Sequence, residues 1–546
     1  MSTGDRTRYQ EGMYVSTWMS GYVIPNWVVP QKFTELLSLC YSGMKALFIC
    51  GHTTKGGRKD MMIPDCETII KLAKEYDVVP VCKEIYADII TPIGLLRKLA
   101  ALSKRYYLLE SVEGGEKWGR YSFMGYDPIM RVTCKAGVVT VEEHGERKEM
   151  QTDDPLQVIR DIMKRYRSPR LEGLPPFTGG FVGHFSYSMI GYAEPKLKIK
   201  RGEFNDYDLM LFDKVIAYDH LKQKICIVVN MKTDHVMENY GEATAQIASI
   251  ASMIRQPMPP EEHAQQEHVQ FTCNVSKDEY CRIVEKTKEY IRTGDIFQAV
   301  ISRQFSSPFK GNLRNAYRVL RTTNPSPYMV YMNMDGKEIM STSPETLVRL
   351  DRGRLTTFPV AGSRPRGKTK EEDLALEREL LADEKELSEH NMLVDLGRND
   401  LGRISDFNSV EVTDYMMIHR YSRIMHICSQ VESDIRSDCD GLDAIASVLP
   451  AGTLSGAPKI RACEIIEELE SEPRGIYGGA LGYLDFAGNL DTCIAIRMAV
   501  KKHDRVYVQA GGGIVADSIP EKEYEESANK AMAVIRAIEH AQEVEQ

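Results

Sequence analysis

Glu386 and Glu389 stand three residues apart in Asp383-Glu-Lys-Glu-Leu-Ser-Glu-His390, so a helix through this segment places both carboxylates on one face. Alone, that spacing usually marks a solvated face. A second pair lies in the last helix, whose register is set by Ser518-Ile-Pro-Glu521, an expected capping box with proline just inside the start. At about 100° per residue, Glu523, Glu526 and Lys530 then share a narrow stripe. Facing each other, the two helices would offer an oxygen-rich cage suited to Mg²⁺, which takes hard ligands and keeps some of its waters. Without a fold, surface ion pairs are the better reading of these residues.

Gln509-Ala-Gly-Gly-Gly513-Ile-Val precedes that helix, and consecutive glycines after a strand let backbone N–H groups approach an anion. The Rossmann spacing Gly-x-Gly-x-x-Gly is not met. Gly452-Thr-Leu-Ser-Gly456-Ala-Pro-Lys459 lacks the Walker spacing, so nucleotide binding is disfavoured and both segments read first as tight turns. His426 sits in an apolar stretch, where a satisfied core histidine is the ordinary case. Arg497, inside the strand-like run Ile494-Ala-Ile-Arg-Met-Ala-Val500, is harder to dismiss, because a guanidinium there needs an anion or acceptors. These residues describe an enzyme that binds a small anion with Mg²⁺.

The elements that must hold these residues come from 546 residues, about three to four domains at roughly 150 residues each, or two large ones. Charged residues at 27% and hydrophobic ones at 43% exclude wholesale disorder. Asp plus Glu is 78 against 69 for Lys plus Arg, a net charge of −9 that gives no general attraction to nucleic acid or an anionic membrane. An anionic ligand must be attracted locally. The 12 cysteines are scattered without a Cys-x-x-Cys pair, so neither a thiolate zinc site nor a disulfide framework is expected, and reduced thiols in a cytoplasmic compartment fit best. Apolar runs such as Tyr22 to Val29, broken by Pro25 and Asn26, are too short to span a bilayer, and the N-terminus lacks a signal peptide's apolar stretch.

From Met1 to Asp60 no helix or strand period is sustained, whereas regular patterning begins after Met61 with Glu67-Thr-Ile-Ile-Lys-Leu-Ala-Lys-Glu-Tyr76. Lys55-Gly-Gly-Arg-Lys-Asp60 can be encoded almost wholly by purines just upstream of Met61-Met62, as a bacterial ribosome-binding site would be. Residues 1–60 are therefore expected to be a non-native or disordered extension, with an ordinary N-terminal extension reading equally well. Residues 89–230 alternate β-rich runs, such as Val138 to Glu142 and Ile225 to Asn230, with helical stretches such as Leu156 to Tyr166. The polar, proline-bearing stretch after Gln256 reads as an exposed linker, 256–272. Beyond it a helix is expected over Lys277 to Thr293, then strands, one long charged helix over Glu371 to Leu396, more strands with glycine turns, and a closing helix.

Together these segments resemble the chorismate-utilising enzymes, and most closely the anthranilate synthase large-subunit (component I) family. The resemblance runs from about Asp65 to about Ile538, through Gly294-Asp-Ile-Phe-Gln298, Ser343-Pro-Glu345-Thr, Pro359-Val-Ala-Gly-Ser-Arg-Pro-Arg-Gly367, Lys385-Glu-Leu-Ser-Glu-His390, Val394-Asp-Leu-Gly-Arg-Asn-Asp400 and Gly513-Ile-Val-Ala-Asp-Ser518. It implies an α+β fold, with antiparallel β-sheets flanked by helices. It also implies an N-terminal regulatory domain over 61–255 that carries part of a tryptophan site, and a chorismate-binding catalytic domain over 273–540. Glu389 and Glu526 match the family's direct Mg²⁺ ligands, with Glu386 and Glu523 in support. Tyr477 and Arg497 match residues that hold a substrate carboxylate, and Gly362, Ser363, Thr453, Gly511, Gly512, Gly513 and Lys530 match the rest of the chorismate pocket. Glu345 matches the general acid for the departing C4 hydroxyl, a role that requires a raised pKa. His426 matches the histidine linked to elimination of pyruvate.

Two positions choose among family members. Gln298 stands where water-using relatives carry a lysine base, and Ala361 where aminodeoxychorismate synthases carry a nucleophilic lysine. The implied reaction is therefore ammonia addition to chorismate followed by loss of pyruvate, giving anthranilate, the first committed step of tryptophan synthesis. Ammonia is expected from a separate glutamine amidotransferase subunit (component II), since the chain shows no appended amidotransferase domain. The rivals are an aminodeoxychorismate synthase component and a catalytically silent tryptophan-binding module. Leu108-Leu-Glu-Ser111 and Asn324-Pro-Ser-Pro-Tyr-Met329 match the family's tryptophan motifs. Feedback inhibition by L-tryptophan is thus expected, with Ser111 bonding its polar end and Pro327, Tyr328 and Met329 walling the indole.

Overall fold

The computed structural model describes residues 62–111, 119–260, 269–421 and 424–545. The expected extension over 1–60 lies outside the described residues. All described residues fall within one compact unit, Arg58–Gln546.

The strand Arg105–Glu110 shows how the layers arise. Side chains alternate across a strand, so Tyr106 and Leu108 pack under the helices Pro92–Leu102, Val236–Arg255, Arg314–Thr323 and Pro520–Glu539. Tyr107 and Leu109 face the other way, into a core shared with a second sheet. With both faces covered, Tyr-Tyr-Leu-Leu has no position left for a polar residue. The second sheet carries on its far face the helices Pro155–Met163, Glu384–Gly402 and Gly441–Val448. Among the described residues the result is an α+β architecture of two stacked antiparallel sheets of twelve strands each, with helices outside.

The first sheet runs from Val78–Tyr86 through Arg105–Glu110 and Tyr328–Met334 to Arg505–Ile514, Gln298–Pro308 and Thr272–Cys273. The second runs from Val360–Pro365 through Thr346–Asp351, Leu490–Ile494, Ala480–Asp485 and Gly180–Phe185 to Glu146–Gln151. Both sheets use strands from either side of the stretch 256–272, since Arg105–Glu110 pairs with Tyr328–Met334 and Gly180–Phe185 with Ala480–Asp485. The expected division into 61–255 and 273–540 is therefore not a division between cores. Either segment alone would leave strand edges with unpaired N–H and C=O groups.

Two crossings between the sheets position Glu345 and Arg497. The chain leaves the first sheet after Lys337–Ser343 and enters the second at Thr346–Asp351, with Pro344 and Glu345 between. It returns between Leu490–Ile494 and Met498–Lys502, through Ala495, Ile496 and Arg497. The crossings run side by side: the Ile494 amide donates to the Glu345 carbonyl (3.0 Å) and the Thr342 amide to the Arg497 carbonyl (3.2 Å). Ser341 Oγ donates to the Ile496 carbonyl (2.8 Å). Arg497 has φ of 45°, in the left-handed region. It thus sits at a kink between strands of different sheets, where the sequence predicts a continuous strand-like run. A left-handed non-glycine residue costs about 1–3 kcal/mol and persists only where its surroundings hold it.

Three further expectations are corrected. The long charged helix is two helices, Lys370–Leu381 and Glu384–Gly402, because Asp383 accepts from the amides of Lys385 (3.1 Å) and Glu386 (3.3 Å) and starts the second. The last helix begins one residue later than a Ser518 cap would allow. Ile519 is its N-cap, while Ser518 Oγ accepts from the Val515 amide (3.1 Å). Cys82 and Cys226, on the paired strands Val78–Tyr86 and Lys224–Lys232, form a disulfide where only reduced thiols are expected. Their 144-residue separation hides from the sequence that the pairing register brings them together. No helix among the described residues is long and apolar enough to cross a membrane.

Candidate active site

Glu345 occupies the first crossing and is buried. Thr453, on the short turn Gly452–Leu454, donates from Oγ1 to both carboxylate oxygens, at 3.1 and 3.2 Å. Burial pushes the Glu345 carboxyl up to about 8, against the opposing pull of the Thr453 hydrogen bond and the Arg497 charge. A protonated acid at neutral pH is what a general acid requires.

Arg497, on the second crossing, is the nearby cation. Its own pKa is lowered by burial, with Glu345 and Tyr421 acting to restore it. It shares a cavity of about 50 Å³ with His426, Tyr421, Pro344, Asn324 and Pro327. His426 lies on the strand Ile424–Asp434 opposite Ser363, and its Nδ1 is 2.9 Å from the Gly362 carbonyl. Burial keeps the imidazole below its usual range, with Arg497 adding to the effect. A neutral ring facing a carbonyl through Nδ1 must carry its proton there, which leaves Nε2 as an acceptor.

Gly362 has φ of 62°, and a Cβ built there would lie 3.1 Å from Glu386 Oε2. A side chain at 362 would press on the carboxylate helix. Ser363 is exposed and Ala361 buried, because the pairing register shifts between them, setting Ala361 opposite Ile427 and Ser363 opposite His426. On the helix Glu384–Gly402, Glu389 Oε1 accepts from Gln298 Nε2 (3.3 Å). Gln298 is buried, and its Oε1 has no hydrogen-bond partner. The strand Gln298–Pro308 pairs with Arg505–Ile514, placing Gly511, Gly512 and Gly513 opposite Ser302, Ile301 and Val300. Tyr477 is buried, with the Gly511 backbone bonding its phenol.

The second carboxylate pair borders the same glycines. Glu523 Oε2 lies 3.2 Å, and Glu526 Oε1 4.0 Å, from a Cβ built on Gly512. Lys530 Nζ pairs with Glu526 (2.8 Å) and donates to the Gly511 carbonyl (3.3 Å). Burial and the neighbouring Glu389 charge raise Glu386, and burial and Glu526 raise Glu523. Arg364 beside Glu386 (3.7 Å) and Lys530 beside Glu526 offset part of this charge, and each pair keeps a second carboxylate that a further cation would stabilise. The orphaned Gln298 oxygen and the all-oxygen donor set fit a hard divalent ion such as Mg²⁺. Among the described residues no three acidic, imidazole or thiolate groups converge as a preformed metal site, so such an ion would have to draw the pairs together.

The two motifs expected to bind tryptophan become neighbours, with Met329 opposite Glu110 in register. Ser111 follows directly, at the edge of the described residues. Two walls expected for the indole are already occupied. Tyr328 donates to Asp491 Oδ1 (2.9 Å) and accepts from Thr346 (3.0 Å), and Met329 is 0% exposed within the outer core. Pro327 instead lines the cavity of Arg497 and His426. The sequence also missed Tyr421 and Pro344 as lining residues. Neither belongs to a periodic or glycine-rich pattern, and only the crossing of the sheets brings them to Arg497.

The family profile described as chorismate binding enzyme matches residues 105–536. The chain is 47% identical over 495 residues to anthranilate synthase component 1 of Acetivibrio thermocellus, covering 89% of this chain and 100% of the relative. It is 44% identical to the Aquifex aeolicus protein of that name, covering 87% and 98%. The crystal structure of anthranilate synthase component I from Streptococcus pneumoniae superposes with a TM-score of 0.69 at 36% identity, covering 82% of this chain and 98% of that one. The menaquinone-specific isochorismate synthase from Escherichia coli shares the fold at 18% identity, with a TM-score of 0.63 over 86% and 98% of the chains. The profile that spans both sheets, together with relatives matched almost end to end, places this chain in the chorismate-binding enzyme family, among the anthranilate synthase component I proteins.

Proposed function

We propose that this chain converts chorismate and ammonia into anthranilate, pyruvate and water. In this reading it works in the cytoplasm as the first step of tryptophan synthesis, and a separate glutamine amidotransferase subunit supplies the ammonia. The observation that carries the reading is Glu345, a buried acid raised to about 8 beside Thr453 and Arg497. Arg497 and Tyr477 hold a substrate carboxylate, and the amides of Gly511–Gly513 with Lys530 supply the remaining positive potential. Glu345 gives its proton to the C4 hydroxyl, which leaves as water while ammonia adds at C2. Gln298 cannot act as a base toward water and Ala361 cannot form an adduct, so ammonia is the nucleophile that reaches C2. His426, with Nε2 open as an acceptor, takes the C2 proton as pyruvate departs and the ring becomes aromatic. Mg²⁺, held by Glu389 and Glu526 with Glu386 and Glu523 in support, would neutralise a chorismate carboxylate.

The purified chain with chorismate, Mg²⁺ and ammonium at raised pH should yield fluorescent anthranilate, and none with glutamine in place of ammonium. Aminodeoxychorismate as product, or turnover with glutamine alone, would refute the reading. Calorimetry on Glu389→Gln should lose the Mg²⁺ dependence of chorismate binding; full retention would remove Glu389 from the metal site.

The adjacency of Leu108–Ser111 to Asn324–Met329 supports a tryptophan site at that strand pair. Its far side, at Asn324 and Pro327, is the wall of the Arg497 cavity. A ligand ordering one face of this segment thereby biases the other.

A further inference from the structure

Arg474 and Glu470 belong to none of the groups assigned above, yet they are 4% and 7% exposed. Arg474 grips Glu470 with two bonds, Nη2 to Oε1 at 2.6 Å and Nε to Oε2 at 2.9 Å. Such forked pairing is the strong form of the ion pair. What distinguishes this pair is where its other bonds go. Arg474 Nη1 donates to the Leu454 carbonyl (2.5 Å) and Nη2 to the Val300 carbonyl (2.6 Å). Glu470 Oε1 accepts from the Ser302 amide (2.7 Å) and hydroxyl (2.9 Å), and Gln509 Nε2 donates to that hydroxyl (2.9 Å).

Each partner adjoins a residue of the proposed pocket. Leu454 follows Thr453, the hydroxyl that holds Glu345. Val300 lies two residues beyond Gln298 and pairs with Gly513, while Ser302 pairs with Gly511. The Tyr477 amide donates to the Arg474 carbonyl (3.2 Å), and the guanidinium lies 5.9 Å from the Tyr477 ring. A buried ion pair is seldom kept for stability, because apolar residues of like volume usually do as well or better. Two pocket walls bonded by one planar, fixed-geometry cation, a third by its carboxylate partner and a fourth by its own backbone carbonyl give this pair a different use.

We infer that Arg474, clamped by Glu470, is a positioning residue for chorismate turnover, fixing Thr453 against Glu345 and the glycine strand against Tyr477. The inference rests on the reading of Glu345, Thr453 and Tyr477 as the chorismate pocket. Lysine at 474 can meet Glu470 but cannot reach two carbonyls in a fixed plane.

The test compares Arg474→Lys with the apolar double variant Glu470→Met/Arg474→Met, which leaves no unpaired buried charge. Thermal melts report the fold. Ammonia-dependent kcat and chorismate KM are measured across pH at constant free NH₃. In Arg474→Lys, kcat should fall by about 10–100-fold, the scale of a misplaced catalytic group. The alkaline limb set by Glu345 should also move to higher pH, because the Thr453 bond that favours its ionised form is weakened. The double variant, if folded, should show the same limb shift with a larger loss; if it fails to fold, Arg474→Lys decides alone. A folded Arg474→Lys enzyme with wild-type kcat, KM and pH limb would overturn the inference. Glu345→Gln is run in parallel. If it keeps wild-type turnover, the pocket reading itself has failed, a result separate from anything Arg474 shows.

Discussion

At the scale of single residues, the proposed chemistry depends on one carboxyl being kept neutral. Apolar neighbours of Glu345 raise it to about 8, while Thr453 and Arg497 pull the other way. The acid form is present below that value and is lost as pH rises through it. At fixed free NH₃, kcat/KM for chorismate should therefore be level toward neutrality and fall above about pH 8. Thr453→Val removes a donor that stabilises the carboxylate, so its limb should lie at higher pH. Glu345→Gln, with no proton to give, should lower kcat by about 100-fold or more. A limb unmoved in Thr453→Val would show that another group sets it. Glu345 and Arg497 could be named from sequence by resemblance. Their mutual influence could not, because they belong to different crossings 152 positions apart in the chain.

At the scale of elements, glycines decide how closely two strands and a helix approach. A Cβ on Gly511 would meet the Ile301 carbonyl oxygen at 2.4 Å, a backbone atom that cannot yield without moving the strand. A Cβ on Gly513 would meet Gln298 Nε2 at 2.1 Å, the end of a side chain that can swing away. Gly511→Ala should thus cost stability, by about 1–3 kcal/mol as for other overpacked interiors, and be seen in the urea midpoint. Gly513→Ala should hold its midpoint more nearly but free Glu389 from Gln298 and lose activity. Equal stability losses in the two variants would contradict this division. The glycine run was legible in the sequence as a close-approach site. Which neighbour each glycine admits follows only from the register of Gln298–Pro308 on Arg505–Ile514.

At the scale of the molecule, the two sheets are joined by a buried ionic network as well as by apolar packing. Lys337 of the first sheet donates to Asp208 Oδ2 (2.6 Å) and to His184 Nε2 (2.7 Å) of the second, and Arg131 binds Asp208 at 2.9 and 2.8 Å. The two cations hold the Asp208 carboxyl far below its usual range despite burial, and burial keeps His184 neutral. Lys337→Met leaves a buried carboxylate with one cation fewer, for an expected cost of about 3–5 kcal/mol in denaturant unfolding. A loss under 1 kcal/mol would show that Arg131 suffices. Coupling between the proposed tryptophan and chorismate sites is tested at the same scale. If tryptophan binds at the paired motifs, it should weaken chorismate binding by the factor by which chorismate weakens tryptophan binding. Ser111→Arg should reduce inhibition. Undiminished inhibition in that variant, or tryptophan affinity indifferent to chorismate, would dismiss the site or its coupling.

By itself the sequence determined what is local: the carboxylate spacing on Glu384–Gly402 and Pro520–Glu539, the glycine run, the strand and helix alternation, and the motifs that mark the family. These depend on neighbours within one or two turns of chain. The tertiary structure alone decided that residues on either side of 256–272 share both sheets, that Arg497 stands at a kink, that Cys82 meets Cys226, that Tyr328 is bonded to Asp491 and that Met329 is buried in the core. Each of those depends on register between strands distant in sequence. Such register is fixed by burying both faces of two sheets at once, and no single segment carries that condition.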